Sequence, residues 1–333
     1  MSVTRDGQVL VTSRSFSSGS RDPLGELRRA GLTVVRGPAD HDLDALRPLL
    51  AGTVGWIAGT GPVTAAHLAA APRLAVLARY GVGVDSVDLP AAAARGVVVT
   101  NTPGANSEAV ADLTVGLLLA ALRGIPAGDR RVRAGDWSVF RGRELGALTC
   151  GVVGFGRIGR AVARRLRGFG ARVLAYDPMV DPAAIRAADA EPAGELAELP
   201  ARCGVVSLHA PGGRALVDEG WLAGCRAGLV LVNTARADLV DESALAAALR
   251  DGRVGGYAAD TLGTESGRAA ESPLLAADLA DRVVLTPHLG AQTVEAVDRM
   301  GALAVADLLA VLRGETPAHP VPATARTGSG GSA

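Results

Sequence analysis

The stretch Cys150–Asp177, CGVVGFGRIGRAVARRLRGFGARVLAYD, decides how the chain is read. A short apolar run (Val152, Val153) meets Gly154, Gly156 and Gly159 in GxGxxG spacing, and an apolar-periodic helix through Ile158, Val162 and Leu166 follows at once. The turn therefore ends at a helix N-terminus. In such a turn the first glycine permits the tight reversal, the second lets a pyrophosphate reach the backbone, and the third lets helix and strand pack closely. Unpaired amides and the positive end of the helix dipole favour bound phosphate. A second strand, Val173–Tyr176, ends in Asp177, 18 residues beyond Gly159. A carboxylate there can accept hydrogen bonds from ribose hydroxyls and would repel a 2′-phosphate. Strand, helix, strand and acid in register predict a dinucleotide site that prefers NAD to NADP.

Composition fits a two-domain enzyme. A chain of 333 residues predicts about two domains of ordinary size. Apolar residues make up 48% and aromatics only 3%, so the core must be built from Ala, Val and Leu. Lys plus Arg equals Asp plus Glu, 34 against 34, which removes the electrostatic footprint of a nucleic-acid or anionic-membrane binder. Every basic residue other than histidine is Arg, which excludes Schiff-base chemistry and a P-loop lysine. The N-terminal MSVTRDGQVLVTSR has no long apolar core, and no spanning-length apolar run follows, so a cytoplasmic chain is expected. Cys150, Cys203 and Cys225 lack CxxC spacing and read as reduced thiols; no metal centre is expected.

Before the glycine turn, short apolar runs alternate with amphipathic segments. Strands are predicted at Val9–Thr12, Leu32–Val35, Val54–Ala58, Leu74–Ala78 and Val97–Thr100. Helices fall at Leu24–Ala30, Leu43–Leu50, Val63–Ala71 and Leu89–Arg95. Such alternation means a parallel sheet covered on both faces, a smaller doubly wound lobe. Asn101–Ser107 reads as an interdomain hinge before a strong helix, Glu108–Arg123. The second lobe adds strands near Val205–Leu208, Leu229–Val232, Val254–Ala259 and Val283–Leu285, with helices near Ala215–Arg226 and Ser243–Arg250. A last helix, about Val294–Leu312, returns to cover the first lobe. From Gly314 on, the composition predicts fraying, with GSGGSA a flexible tail. The outer domain is thus 1–101 plus 291–333, and the cofactor domain 102–290.

Three further stretches lie at strand ends, where open α/β sheets bind ligands: Asn233–Arg236, Asp260–Glu265 and Thr286–Gly290. An Arg fork can hold a carboxylate bidentately, and a His beside a carboxylate is a general acid/base near neutral pH. Each could equally be structural, as a salt-bridge partner or a loop cap. His41, His67 and His319 sit in surface-like or tail contexts. His209, in SLHAP, is expected to wall the cofactor site or to support it.

GVVGFGRIG with Asp177, HAP at 209–211, NTARADLVDESAL at 233–245 and LTPHLG at 285–290 resemble, in this order, the D-isomer-specific 2-hydroxyacid dehydrogenases. RYGVGVDSVDL (79–89) and NTPGANSEAVADLTVG (101–116) are most similar to the phosphoglycerate dehydrogenase branch. The resemblance implies a flavodoxin-like outer lobe and a Rossmann NAD lobe, with homodimers built on the latter. It implies that Arg236 binds the substrate carboxylate and carbonyl, that His288 is the acid/base, and that Glu265 pairs with it. Gly81, Val82 and Gly83 would cap the carboxylate beside Arg79 and Tyr80, and Arg79 would meet a phosphate tail unless it only pairs with Asp85 or Asp88. Thr102, Arg157, Ile158, Ala210, Pro211, Thr234, Ala235, Asp260 and Gly290 join the glycine turn, Asp177 and His209 as expected NAD contacts. The implied substrate is a small anionic 2-hydroxy or 2-oxo acid, 3-phosphoglycerate-like. The alternatives are a glyoxylate or hydroxypyruvate reductase and an NAD-sensing binding protein or corepressor. DTLGTES stands where the family has DVFxxEP and a GRAAES segment follows it, so Glu271 is a rival to Glu265. Ala237 replaces a usual Gly and would be strained at positive φ. No serine-feedback module is visible in the chain.

Overall fold

The computed structural model describes residues 7–266 and 271–323. The chain divides into two compact units, Met1–Asn106 with Ala291–Ala333, and Ser107–Gly290.

In the first unit, β1 (Gly7–Val11), β2 (Leu32–Arg36), β3 (Thr53–Ala58), β4 (Val76–Arg79) and β5 (Val98–Thr100) alternate with α1 (Pro23–Arg29), α2 (Leu43–Leu50), α3 (Ala65–Ala70) and α4 (Leu89–Ala94). Asp22, Asp42 and Asp88 start α1, α2 and α4 by accepting from the amides of Gly25, Ala45 and Ala91. The strands pair in parallel in the order β2-β1-β3-β4-β5, the flavodoxin-like order. The first boundary falls after Asn106 rather than Asn101. Thr102 N donates to Gly81 O (3.0 Å), and Ala105 packs with Val9, Ile57 and Met300, which ties 102–106 to this unit.

The second unit opens with α5 (Ser107–Arg123) and α6 (Ile125–Arg133). Its sheet is formed by β6 (Thr149–Val153), β7 (Arg172–Tyr176), β8 (Glu191–Pro192), β9 (Val205–Leu208), β10 (Leu229–Asn233), β11 (Val254–Ala259) and β12 (Val283–Leu285). The connecting helices are α7 (Arg157–Gly168), α8 (Pro182–Arg186), α9 (Glu198–Arg202), α10 (Glu219–Ala223) and α11 (Glu242–Arg250). These strands pair in parallel in the order β12-β11-β10-β9-β6-β7-β8. Strand order reverses between β6 and β9, the Rossmann switch point where ligands bind. Sequence periodicity does not reveal α6, because Ala127 is its one buried residue and it presents no apolar stripe. The helix expected over 215–226 shrinks to α10, because Val217 bridges Val240 and Asp218 caps the helix through Trp221 N.

The chain then re-enters the first unit through α12 (Val294–Leu312), whose Met300, Ala304, Val305 and Leu308 pack against Val9, Val54, Ile57 and Val76. The segment after Gly314 is not frayed up to 323. The Asp307 carboxylate, 2% exposed, accepts from Ala318 N (2.7 Å) and pairs with His319 Nδ1 (2.9 Å). Val321 N then donates to Val99 O (2.8 Å). The GSGGSA tail lies outside the described residues. His41 and His67 are also not at the surface, being 2% and 4% exposed. His41 Nε2 lies 2.6 Å from Thr12 Oγ1 and its Nδ1 3.0 Å from Pro62 O, while His67 Nε2 meets His41 O at 2.8 Å.

Candidate active site of the glycine-turn unit

The glycine turn follows β6. Gly154 has φ +88°, and a Cβ there would lie 2.6 Å from His209 O; at Gly159 a Cβ would lie 2.0 Å from Gly154 O. Both positions therefore exclude a side chain. At Gly156, the N-cap of α7, an added Cβ meets nothing within 4 Å. That open cradle over a helix N-terminus fits a pyrophosphate, with Arg157 and Ile158 as the first two helical residues. Asp177 follows β7, where its Oδ2 accepts from Phe155 N (2.7 Å) and its Oδ1 from Met179 N (2.9 Å). This carboxylate thus ties the strand end to the glycine turn, a scaffold role that the sequence does not disclose.

His209 follows β9, its N donating to Val153 O (2.7 Å) and its Nε2 lying 2.8 Å from Ser207 Oγ. Burial pushes the imidazole down to about 3, so it is neutral near pH 7. Among the described residues its buried Nδ1 has no protein partner. Ala210 N would lie 2.8 Å from a Cβ on Gly154, and Pro211 continues the same turn.

His288 and Glu265 meet in this unit. Nδ1 of His288 is 2.6 Å from Glu265 Oε1, with the two side chains 40% and 44% exposed. Glu265 sits in the short helical turn Gly263–Ser266. Glu271 is exposed, and residues 267–270 of the GRAAES segment lie outside the described residues. Glu242 anchors both ends of this loop, accepting from Gly263 N (2.8 Å) through Oε1 and from Ser272 Oγ (2.6 Å) through Oε2. Nothing in the sequence marks it beyond an acid at the start of α11.

The loop carrying His288 is strained, since His288 has φ +56°, a conformation non-glycine residues rarely adopt. Asp260, just past β11 and 2% exposed, holds it in place. Its Oδ1 accepts from Thr286 Oγ1 and from Leu289 N (2.7 Å), and its Oδ2 from Gly290 N (2.7 Å). Asp260 and Gly290, both expected among the cofactor contacts, thus commit carboxylate and amide to each other and to this loop.

Arg236 follows β10 with extended backbone, φ −141° and ψ 139°. Its Nη1 donates to Ala235 O (2.8 Å), and Asn233 Nδ2 donates to Arg236 O (2.8 Å). Ala235 N donates to Asn233 Oδ1 (3.0 Å), and Thr234 Oγ1 lies 2.8 Å from Thr114 Oγ1 of α5. Ala237 begins a short helical turn and is not at positive φ, so it replaces glycine there without strain.

The remaining site residues belong to the first unit. Arg79, the last residue of β4, is 8% exposed and turns Nη1 back onto Tyr80 O (2.5 Å). Tyr80, expected to touch substrate, is a core residue. It is 6% exposed, packs edge-on against Phe16 (centroids 5.6 Å apart) and donates its hydroxyl to Val297 O (3.1 Å). Burial raises its phenol. In the loop that follows, Gly81 has φ +142°, Val82 is 38% exposed and Gly83 is half-buried. Thr102, fully buried, donates its amide to Gly81 O.

A flavodoxin-like unit and a Rossmann unit, the latter holding an open glycine turn and a His–carboxylate pair, define a dinucleotide-binding α/β protein equipped for acid/base chemistry. The family profile described as "D-isomer specific 2-hydroxyacid dehydrogenase, NAD binding domain" matches residues 115–290. D-3-phosphoglycerate dehydrogenase of Mycobacterium tuberculosis (strain CDC 1551 / Oshkosh) is 46% identical over 258 residues, which is 76% of this chain and 48% of that protein. Glyoxylate reductase of Thermofilum pendens is 38% identical over 292 residues, 83% of this chain and 80% of that protein. A solved structure from Thermus thermophilus superposes with a TM-score of 0.84 at 38% identity, covering 95% of this chain and 100% of that one. The chain belongs to the D-isomer-specific 2-hydroxyacid dehydrogenase family, in the branch similar to phosphoglycerate dehydrogenases, and its second unit is the family's NAD-binding domain. It spans about half the length of the phosphoglycerate dehydrogenases it matches.

Proposed function

We propose that this protein is an NAD-dependent oxidoreductase interconverting a small D-2-hydroxy acid and its 2-oxo acid. The observation that carries the reading is the 2.6 Å pair of His288 Nδ1 and Glu265 Oε1 in the unit that also holds the open glycine turn. When bound, NAD supplies the two-electron redox partner. Glu265 accepts a hydrogen bond from Nδ1–H, which fixes the tautomer and leaves Nε2 to give a proton to the carbonyl oxygen during reduction and take it back during oxidation. Arg236 offers a guanidinium fork for the carboxylate. In the outer unit we assign the Gly81–Gly83 backbone to binding an anionic group of the oxo acid.

The first reading of substrate is a phosphate-tailed acid such as 3-phosphoglycerate, supported by the Mycobacterium relatives. A tail-less acid such as glyoxylate or hydroxypyruvate is the second. It is favoured by Arg79, whose guanidinium folds onto Tyr80 O at 8% exposure instead of reaching outward. A panel of 2-oxo acids with and without phosphate tails, followed by NADH absorbance, tests both. Turnover of none of them at tight NADH binding would favour the binding-protein reading.

We also assign the protein to the cytoplasm as a homodimer. Cys150, Cys203 and Cys225 are free thiols, and no single described helix is long and apolar enough to cross a membrane. The segment 125–140 exposes Ile125 (56%), Trp137 (78%), Val139 (94%) and Phe140 (57%), an apolar arm on the cofactor unit that a second copy would cover. Light scattering of the wild type and of Trp137→Glu tests the dimer.

A further inference from the structure

The strap that follows α12 is joined to the Gly81–Gly83 loop by one residue. Residues 318–321 lie along β5, with Pro320 bridging Thr100, Val321 N donating to Val99 O (2.8 Å) and His319 O accepting from Asn101 N (3.3 Å). Asn101 then turns its side chain to the loop, Nδ2 donating to Val82 O (2.8 Å). Next to it, Thr102 N donates to Gly81 O (3.0 Å). The strap is itself held from below by the buried Asp307 carboxylate, through Ala318 N (2.7 Å) and His319 Nδ1 (2.9 Å). A run of hydrogen bonds thus extends from α12 to the Val82 carbonyl, all inside the first unit.

We infer that Asn101 is a positioning residue for the Gly81–Gly83 loop and that the Asp307–His319 strap is what holds Asn101 in register. Fixing the carbonyls of Gly81 and Val82 sets the peptide planes of the loop, and so the direction in which its next amides point. Amides that cap an anion act through such preorganisation, and a shift of about 1 Å in a positioning group can cost on the order of 100-fold. Donors from the strap also offset the desolvation that burying an acid in α12 would otherwise cost. The inference rests on the reading of this loop as the part of the outer unit that binds the oxo acid.

The test uses four full-length variants: Asn101→Ala, Asp307→Asn, their double, and Val82→Pro, which deletes an amide of the loop. For Asn101→Ala we expect KM for the 2-oxo acid to rise about tenfold, with KM for NADH and the thermal midpoint little changed. Asp307→Asn should raise the same KM, and the double should show less than the product of the two effects, since both act through one contact. Val321→Pro, which removes the strap's ladder hydrogen bond, serves if Asp307→Asn does not fold. Strap and Asn101 variants with unchanged KM, or effects that multiply independently, overturn the inference while Val82→Pro still raises KM. If Val82→Pro also leaves KM unchanged, the assignment of the loop to the oxo acid fails instead.

Discussion

Asp260→Ala tests how His288, the proposed acid/base, is held. The carboxylate is 2% exposed and carries three donors, Thr286 Oγ1, Leu289 N and Gly290 N. A hydrogen bond to a charged group contributes about 1.5–3 kcal/mol, and a buried donor left without an acceptor costs about 1–3 kcal/mol. Gly290 is buried, and Leu289 is 41% exposed, so water can rescue the latter's amide but not the former's. Losses at the buried Gly290 amide and the partly buried Thr286 hydroxyl, partly offset by relaxation, come to about 2–4 kcal/mol of stability. The same loop keeps His288 at φ +56°, which it would leave once released. We therefore expect kcat to fall by about 100-fold while NADH affinity changes less than about threefold. Stopped-flow oxidation of NADH and a fluorescence titration separate the two. If NADH affinity collapses and kcat at saturation persists, Asp260 contacts the cofactor after all and the clamp argument is wrong.

Replacing His288 by Ala should cut kcat by ~10²–10⁴ with NADH binding intact; retained turnover at pH 7 would remove it from the chemistry. Glu265→Gln should lower kcat, because the imidazole loses the carboxylate that orients it, whereas Glu271→Gln should leave kcat in place. Asp177→Ala should narrow the preference for NAD over NADP and also destabilise the glycine turn, whose Phe155 amide it holds; equal use of both cofactors by the wild type would refute the ribose role. Burial lowers His41 to about 4, so its neutral form supports the fold above pH 6.5, and that contribution declines as pH falls toward 4. Across this window the loss reaches about 3 kcal/mol, and urea unfolding of His41→Asn should show a correspondingly flatter acid limb than wild type.

The fold was legible where local signals agreed. Val254–Ala259, Val283–Leu285 and Val294–Leu312 have the same ends in sequence pattern and structure, because a fully apolar strand or a long amphipathic helix is bounded by the residues that break it. Elsewhere tertiary contacts overrode composition. The segment 314–323 looks like a tail because its Pro, Thr and Ala residues carry no periodicity. It is ordered by a carboxylate on α12 that no local rule connects to it. His41 looks solvated because Asp40 and Asp42 flank it, whereas His67 sits among Ala65, Ala66 and Leu68, which give no cue to its hydrogen-bond partner. Both are buried, His41 between Thr12 and Pro62 and His67 against the His41 carbonyl, partners that are up to 29 residues away.

The site shows the same limit in a sharper form. Sequence spacing selected Asp177, Asp260 and Glu265 as acids at or just past strand ends, and all three do accept hydrogen bonds there. An acid at that point of a parallel sheet faces free amides as readily as it faces a ligand, so residue type and position cannot separate scaffold from chemistry. Exposure and the nature of the donors can. Asp260 is 2% exposed and its acceptors are filled by its own loop, so it organises the site without needing to meet a ligand. Glu265 is 44% exposed and is joined to an imidazole, a group that can itself lose and regain a proton. Asp177 lies between the two, giving one oxygen to the glycine turn and one to Met179, in a partly exposed residue whose carboxylate has lone pairs beyond those two amides. The distinction follows from the desolvation cost of a carboxylate: the more deeply it is buried, the more of its lone pairs protein donors must already satisfy, and the fewer remain for a substrate or cofactor.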